Sequence, residues 1–220
     1  MKSLALFVAI IAAVLALPLL FPSDAGKQSP LAETGLPWQI ELLPDGATRV
    51  FGLTPGRSTL TDARIALEGD VQVALLVTPG ETGAVEAYYE NITIGPLAGK
   101  MVLSLGTTPE QREQMLGRAR KVKYMDSTTR RIELSEDDLA QMATAVIVAI
   151  AYIPSANLDE QIVLQRFGAP AERIRNSEHR EHFLYPAKGL DLQLDAKGKE
   201  LLQYVAPKDF ARLREPLVAK

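Results

Sequence analysis

The chain contains no cysteine, which excludes disulfides, thiol nucleophiles, zinc knuckles and iron–sulfur clusters. It also excludes a lipidated amino-terminal cysteine. Histidine is scarce, with His179 and His182 the only two. No G-x-S-x-G elbow and no G-x-G-x-x-G fingerprint occurs anywhere in the sequence. A basic surplus is lacking as well: the net charge is −3 over 220 residues, which gives no general attraction to nucleic acid. What remains is ordinary globular material, 47% hydrophobic and 23% charged, enough for one domain or two small ones.

The first positive signal is Leu4 to Phe21, a run with no charged or polar side chain behind Lys2. As a helix it would span about 27 Å, close to the hydrocarbon thickness of a bilayer. Secretory signals have shorter apolar cores, about 7–15 residues, so a retained anchor is the preferred reading over cleavage near Ala25. Either way Lys2 stays inside and residues 23–220 are exported. The expected location is a bacterial-type inner membrane, crossed once with the carboxy-terminal part in the periplasm; cleavage would release it to the periplasm. Pro22 to Pro30 is rich in Pro, Gly and Ser and suits an extended tether.

Beyond the tether the periodicity alternates between two and about 3.6. Trp38–Leu42 and Thr48–Phe51 flank Pro44-Asp45-Gly46 and predict a hairpin. Thr59 or Ser58 caps a helix over 60–67, followed by strands over 70–78, 84–91 and 100–105. A polar helix is expected from Pro109 to about Lys121. Ser135 heads another helix to about Thr144, and Ala145–Ile153 reads as a buried strand or packed helix. Asn157 caps a helix over 158–167, stopped by Gly168 and Pro170. Strands at 172–175, 181–185, 190–195 and 199–205 follow, and a short helix at 208–213 ends the pattern.

Each half is thus a helix followed by an antiparallel meander. The expected fold class is α+β, an amino-terminal transmembrane or signal helix followed by two helix-plus-meander units. The boundaries are 1–22 for the anchor or signal, 23–36 for the tether, 37–131 for the first unit with its basic helical linker, and 132–220 for the second. This arrangement resembles the SmpA/OmlA outer-membrane assembly lipoproteins and the β-lactamase-inhibitor-like superfamily. The resemblance is carried by Gly52-Leu53-Thr54, Leu164, Phe167-Gly168-Ala169-Pro170, Tyr185-Pro186 and the hairpin over 190–204. It implies a periplasmic binding module whose sheet holds a protein partner, without catalysis.

The remaining residues offer little chemistry. Gly95-Pro96-Leu97-Ala98-Gly99-Lys100 is one residue short of a phosphate loop, and Met101 stands where the magnesium-binding hydroxyl belongs, so it reads as a hairpin turn. His179 and His182 are three apart, which on a strand sends them to opposite faces and defeats joint metal ligation. Glu136-Asp137-Asp138 is explained by the dipole at a helix start. No catalytic residue, metal site, cofactor or small-molecule substrate is assigned, and the chain is read as a non-enzyme.

Charge is distributed in blocks: −6 over residues 24–111, +5 over 112–131 and −5 over 132–207. Arg118, Arg120, Lys121 and Lys123 are therefore candidates for an anionic surface. Alternation along their strands makes Tyr88 and Tyr204, together with Trp38, candidate exposed anchors for a partner. The expected function is a membrane-tethered or exported scaffold that binds another envelope protein. The alternatives are a lipid-contacting accessory subunit and an unrecognised periplasmic hydrolase.

Overall fold

A computed structural model describes residues 35–125 and 128–219; the apolar run 4–21 and the tether to Thr34 lie outside the described residues. A small hairpin comes first, β1 (Glu41–Leu42) against β2 (Thr48–Arg49). Helix α1 (Leu60–Ala66) starts with a reciprocal cap between Thr59 and Asp62, which satisfies two backbone donors that a helix start leaves open. Strands β3 (Val71–Val77), β4 (Ala84–Ile94) and β5 (Leu97–Leu105) follow as a meander. Helix α2 (Pro109–Gly117) has Pro109 in its first turn and a second reciprocal cap, Thr108 with Gln111. Next come β6 (Lys121–Tyr124), β7 (Arg130–Glu133), α3 (Glu136–Met142) and β8 (Ile147–Pro154). Helix α4 (Glu160–Phe167) leads into β9 (Glu172–Arg175), β10 (Arg180–Tyr185), β11 (Leu190–Asp195) and β12 (Leu201–Val205). Helix α5 (Ala211–Val218) closes the chain.

The protein is α+β. Ten strands form one antiparallel sheet in the order β6-β7-β3-β4-β5-β8-β12-β11-β10-β9. The two meanders lie side by side in this sheet, joined through β8, which pairs with β5 on one edge and β12 on the other. That central position accounts for the nearly unbroken apolar run of β8. The 131/132 boundary expected between units falls inside β7, which pairs with β3 and β6.

The sheet has two unlike faces. The first carries Leu75, Val85, Tyr89, Leu103, Ile150, Leu202, Leu192 and Phe183 and packs with Leu60, Met115, Met142 and Phe167 from helices α1 to α4 in one continuous core. On the second face, Phe210 at the cap of α5 and Leu213 within it pack with Leu184 and Val205. Arg214 also makes two bonds to Glu172, 2.6 and 2.9 Å, which tie α5 to the edge strand β9. Farther along this face lies a smaller cluster, Leu76, Tyr88, Val102, Ala151 and Leu201, joined by Met125 from beyond β6.

Several expectations need correction. Helix α2 stops at Gly117, and the basic segment after it is the β6–β7 hairpin rather than a helical linker. Lys121-Val122-Lys123-Tyr124 has a two-residue period, which suits a strand rather than a helix. Asp159, not Asn157, caps α4; the Asn157 amide oxygen instead accepts from Lys199 at 2.8 Å. The turn expected over 95–99 tightens to Gly95-Pro96, which lengthens both of its strands. Gly99 consequently lies in β5, where a Cβ would come within 2.6 Å of the Ile153 carbonyl and the Tyr152 ring. The last helix begins and ends later than expected, after a single tight turn at Pro207–Asp209.

Candidate functional site

The sheet ends in two edge strands, β6 and β9, and of these β6 carries exposed large apolar side chains. Its neighbour β7 pairs through Lys121↔Glu133, Val122↔Ile132, Lys123↔Arg131 and Tyr124↔Arg130. The Met125 N–H donates to the Thr129 carbonyl at 2.8 Å in the same register. Counting back by two, Lys121 and Lys123 also turn their backbone groups toward β7. The N–H and C=O of Val122 and Tyr124 therefore point outward, with no strand beyond them among the described residues. Their side chains are exposed too, Val122 at 43% and Tyr124 at 75%. Most edge strands hide such a surface.

Charge around this edge is partly spent. Arg118 grips Asp138 at 2.5 Å through Nη2 and 3.4 Å through Nε. The Asp138 carboxylate is wholly buried and accepts from Ser135 Oγ at 2.6 Å. The Arg118 guanidinium, helped by Ser135, holds it below the usual carboxylate range against the opposing effect of burial. Arg120 pairs with Glu136 at 3.1 Å. The acidic first turn of α3 thus neutralises two of the four anionic-surface candidates. Lys121 and Lys123 are exposed and make no ion pair among the described residues, and Arg130 likewise has none. Glu133, across from Lys121, is the one acid in register with these cations among the described residues, so the edge remains basic.

The aromatic anchors sit elsewhere. Tyr204 is 1% exposed, on the first face rather than in solvent; its hydroxyl donates to the Pro37 carbonyl at 2.9 Å, and Phe51 meets its ring edge-on. Tyr88 lies on the second face, as alternation required, but is 4% exposed. Both corrections share one cause: β4 and β12 are interior strands, so both of their faces are covered. Trp38 is half-buried, edge-on to Phe167, with the Arg166 guanidinium 4.8 Å from its ring centre. These three residues do not meet in one surface.

The two histidines are separated, although only His182 lies on a strand. His179 is in the β9–β10 turn and lines a first-face cavity with Arg175, Glu181 and Leu194, whereas His182 is buried on the second face. Its Nδ1 lies 3.0 Å from both oxygens of Asp191, and its Nε2 lies 2.9 Å from Asn176 Nδ2. Burial pushes the Asp191 carboxyl up, with the imidazole acting in the opposite direction. Both ring nitrogens are occupied and the pair is sealed from solvent, so it serves as a polar peg between β10 and β11.

Glu86 is a further buried ionisable group of this face. Its cross-strand neighbours are Ala74 and Ser104, both short. Burial alone raises its midpoint to about 8.

No protein-family model matches the chain, and neither a curated protein nor a solved structure matches it. The site is therefore read from its own geometry. Sequence reasoning missed the β6 edge because its residues belong to a block of positive charge. The alternation of Lys121 and Lys123 with Val122 and Tyr124 was an available signal for a strand, though not for its place at the edge.

Proposed function

We propose that this chain is a non-catalytic binding module of the cell envelope, exported by its amino-terminal apolar segment. Its partner adds an extended, acidic segment to β6. The carrying observation is the outward-facing backbone of Val122 and Tyr124 on an exposed edge strand. An incoming strand would satisfy these groups while covering the Val122 and Tyr124 side chains. Lys121, Lys123 and Arg130 favour acidic residues in that strand. The helix-then-meander order in each half, and the resemblance it carries to envelope assembly proteins, support the same reading. A two-unit ancestry fits it as well. An anionic lipid surface is less favoured, because Arg118 and Arg120 are already held by Asp138 and Glu136.

The test begins with a photo-crosslinking amino acid at position 124 of the full-length protein in intact envelopes. The crosslinked segment is identified and then made as a peptide. Binding of that acidic peptide to the full chain should be lost in Val122→Pro, since proline removes an outward N–H without touching the β7 ladder. Retained binding in that variant, a crosslink only to a second copy of the chain, or none at all would each overturn the proposal.

A further inference from the structure

A second cavity, independent of the β6 edge, lies at the end of the sheet where β4, β5 and β8 meet α2 and α5. It has a volume of about 250 Å³, and its lining includes Ser104, Arg112, Arg212, Leu105, Val148 and Ala149. Three observations separate it from an ordinary surface cleft.

The first is the Arg112 guanidinium, whose hydrogen-bond partners among the described residues are all neutral. Nη1 donates to the Thr107 carbonyl at 2.6 Å and its hydroxyl at 3.1 Å, and Nη2 donates to the Thr82 hydroxyl at 3.0 Å. Nε is closed off from solvent and has no acceptor among the described residues. No carboxylate pairs with this cation among the described residues, although Glu110 acts on it from a distance. Burial is felt as a downward shift of the arginine, the expected response of a charge losing water without gaining a counter-ion.

The second is Ser104, on the adjacent strand β5. It is 6% exposed and lines the cavity, so its hydroxyl is available to a group bound there. The third is Arg212, near the start of α5, an exposed cation that lines the same cavity and makes no ion pair among the described residues.

We infer that this cavity binds a single phosphate group, held between Arg112 and Arg212 with the Ser104 hydroxyl as a further donor. Two arginines and a hydroxyl-bearing residue line one cavity, a set of donors that suits a phosphate dianion. Leu105, Val148 and Ala149 provide an apolar wall against which the organic part of a phosphate ester would rest. The neighbouring acid Glu86, in register with Ser104, stays protonated at neutral pH and so presents no opposing charge.

The test uses the full-length protein in detergent and two probes, inorganic phosphate and a short-chain phosphatidate below its micelle concentration, followed by calorimetry. Arg212→Gln and Ser104→Ala are the decisive variants, because one is exposed and the other removes a single atom. Each should weaken binding by about tenfold, the loss of one charge-assisted or buried hydrogen bond; Arg112→Gln should abolish it. Binding of inorganic phosphate with this variant pattern assigns the site to free phosphate. Binding of phosphatidate alone, with the same pattern, assigns it to a lipid headgroup. Failure of both probes at millimolar concentration, or affinities unchanged in Arg212→Gln and Ser104→Ala, would overturn the inference.

Discussion

Replacing Glu86 with glutamine should stabilise the protein, and by an amount that depends on pH. Burial between Ala74 and Ser104 moves the carboxyl midpoint from its ordinary 4.5 to about 8 in the folded chain. Below pH 4.5 the group is protonated in both states and has no effect on the folding equilibrium. Between 4.5 and about 8 the unfolded chain ionises while the folded chain does not. Stability therefore falls as pH rises, by about 1.4 kcal/mol per pH unit for one proton. At pH 7 the accumulated loss is about 3 kcal/mol, and it levels off above about pH 8. Glutamine keeps nearly the same shape and cannot ionise in either state, so the variant escapes this slope. Trp38, the only tryptophan, packs against Phe167 and reports unfolding by fluorescence. Urea unfolding of both full-length proteins from about pH 4 to 9 should give a stability difference near zero at the acid end and growing through neutrality. The difference cancels contributions common to both chains, including that of the His182–Asp191 pair. A stability difference that stays constant from about pH 5 to 8 would refute the argument.

Three further outcomes follow from the same geometry. Tyr204→Phe removes the donor to the Pro37 carbonyl and should cost about 1 kcal/mol in denaturant unfolding, against about 3–5 kcal/mol for Tyr204→Ala, which also empties the contact with Phe51. Asp138→Asn should destabilise the protein at neutral pH but not in strong acid. The wild-type carboxylate has a depressed midpoint, so its contribution is present above the ordinary value of 3.8 and lost as pH falls through the depressed one. Thermal melts at neutral pH and at about pH 2 check this. Gly99→Ala places a methyl against the Ile153 carbonyl and the Tyr152 ring, and should lower stability by about 1–3 kcal/mol by overpacking the β5–β8 interface. An unchanged melting temperature would show that the two strands separate freely there.

Much of the secondary structure was legible because its causes are local. Thr59, Thr108 and Ser135 cap helices through bonds to residues three positions ahead. Gly168, at φ 81°, ends α4 at a backbone angle few other residues accept. The alternation of Leu190, Leu192 and Leu194 with polar residues marked β11 without reference to any other strand. Short-range sterics and spacing are enough to decide such features.

The candidate sites depended on partners far away in sequence. Nothing within 121–124 says that this strand is an edge; that follows from β7 pairing with β3 and leaving β6 outermost. Tyr204 is buried on an interior strand, and residue 37 returns to accept its hydroxyl, a contact spanning 167 positions. Arg118 and Arg120 carry no mark in their own segment that α3 folds back to neutralise them. Arg112, Arg212 and Ser104 share a cavity only because α2 and α5 close on the same end of the sheet. Where most helices and strands begin and end was written into the chain itself, through steric and hydrogen-bonding preferences that act over a few residues. Strand order, the identity of the open edge and the environment of each charge emerged only on folding, because burial and charge pairing are properties of neighbours in space.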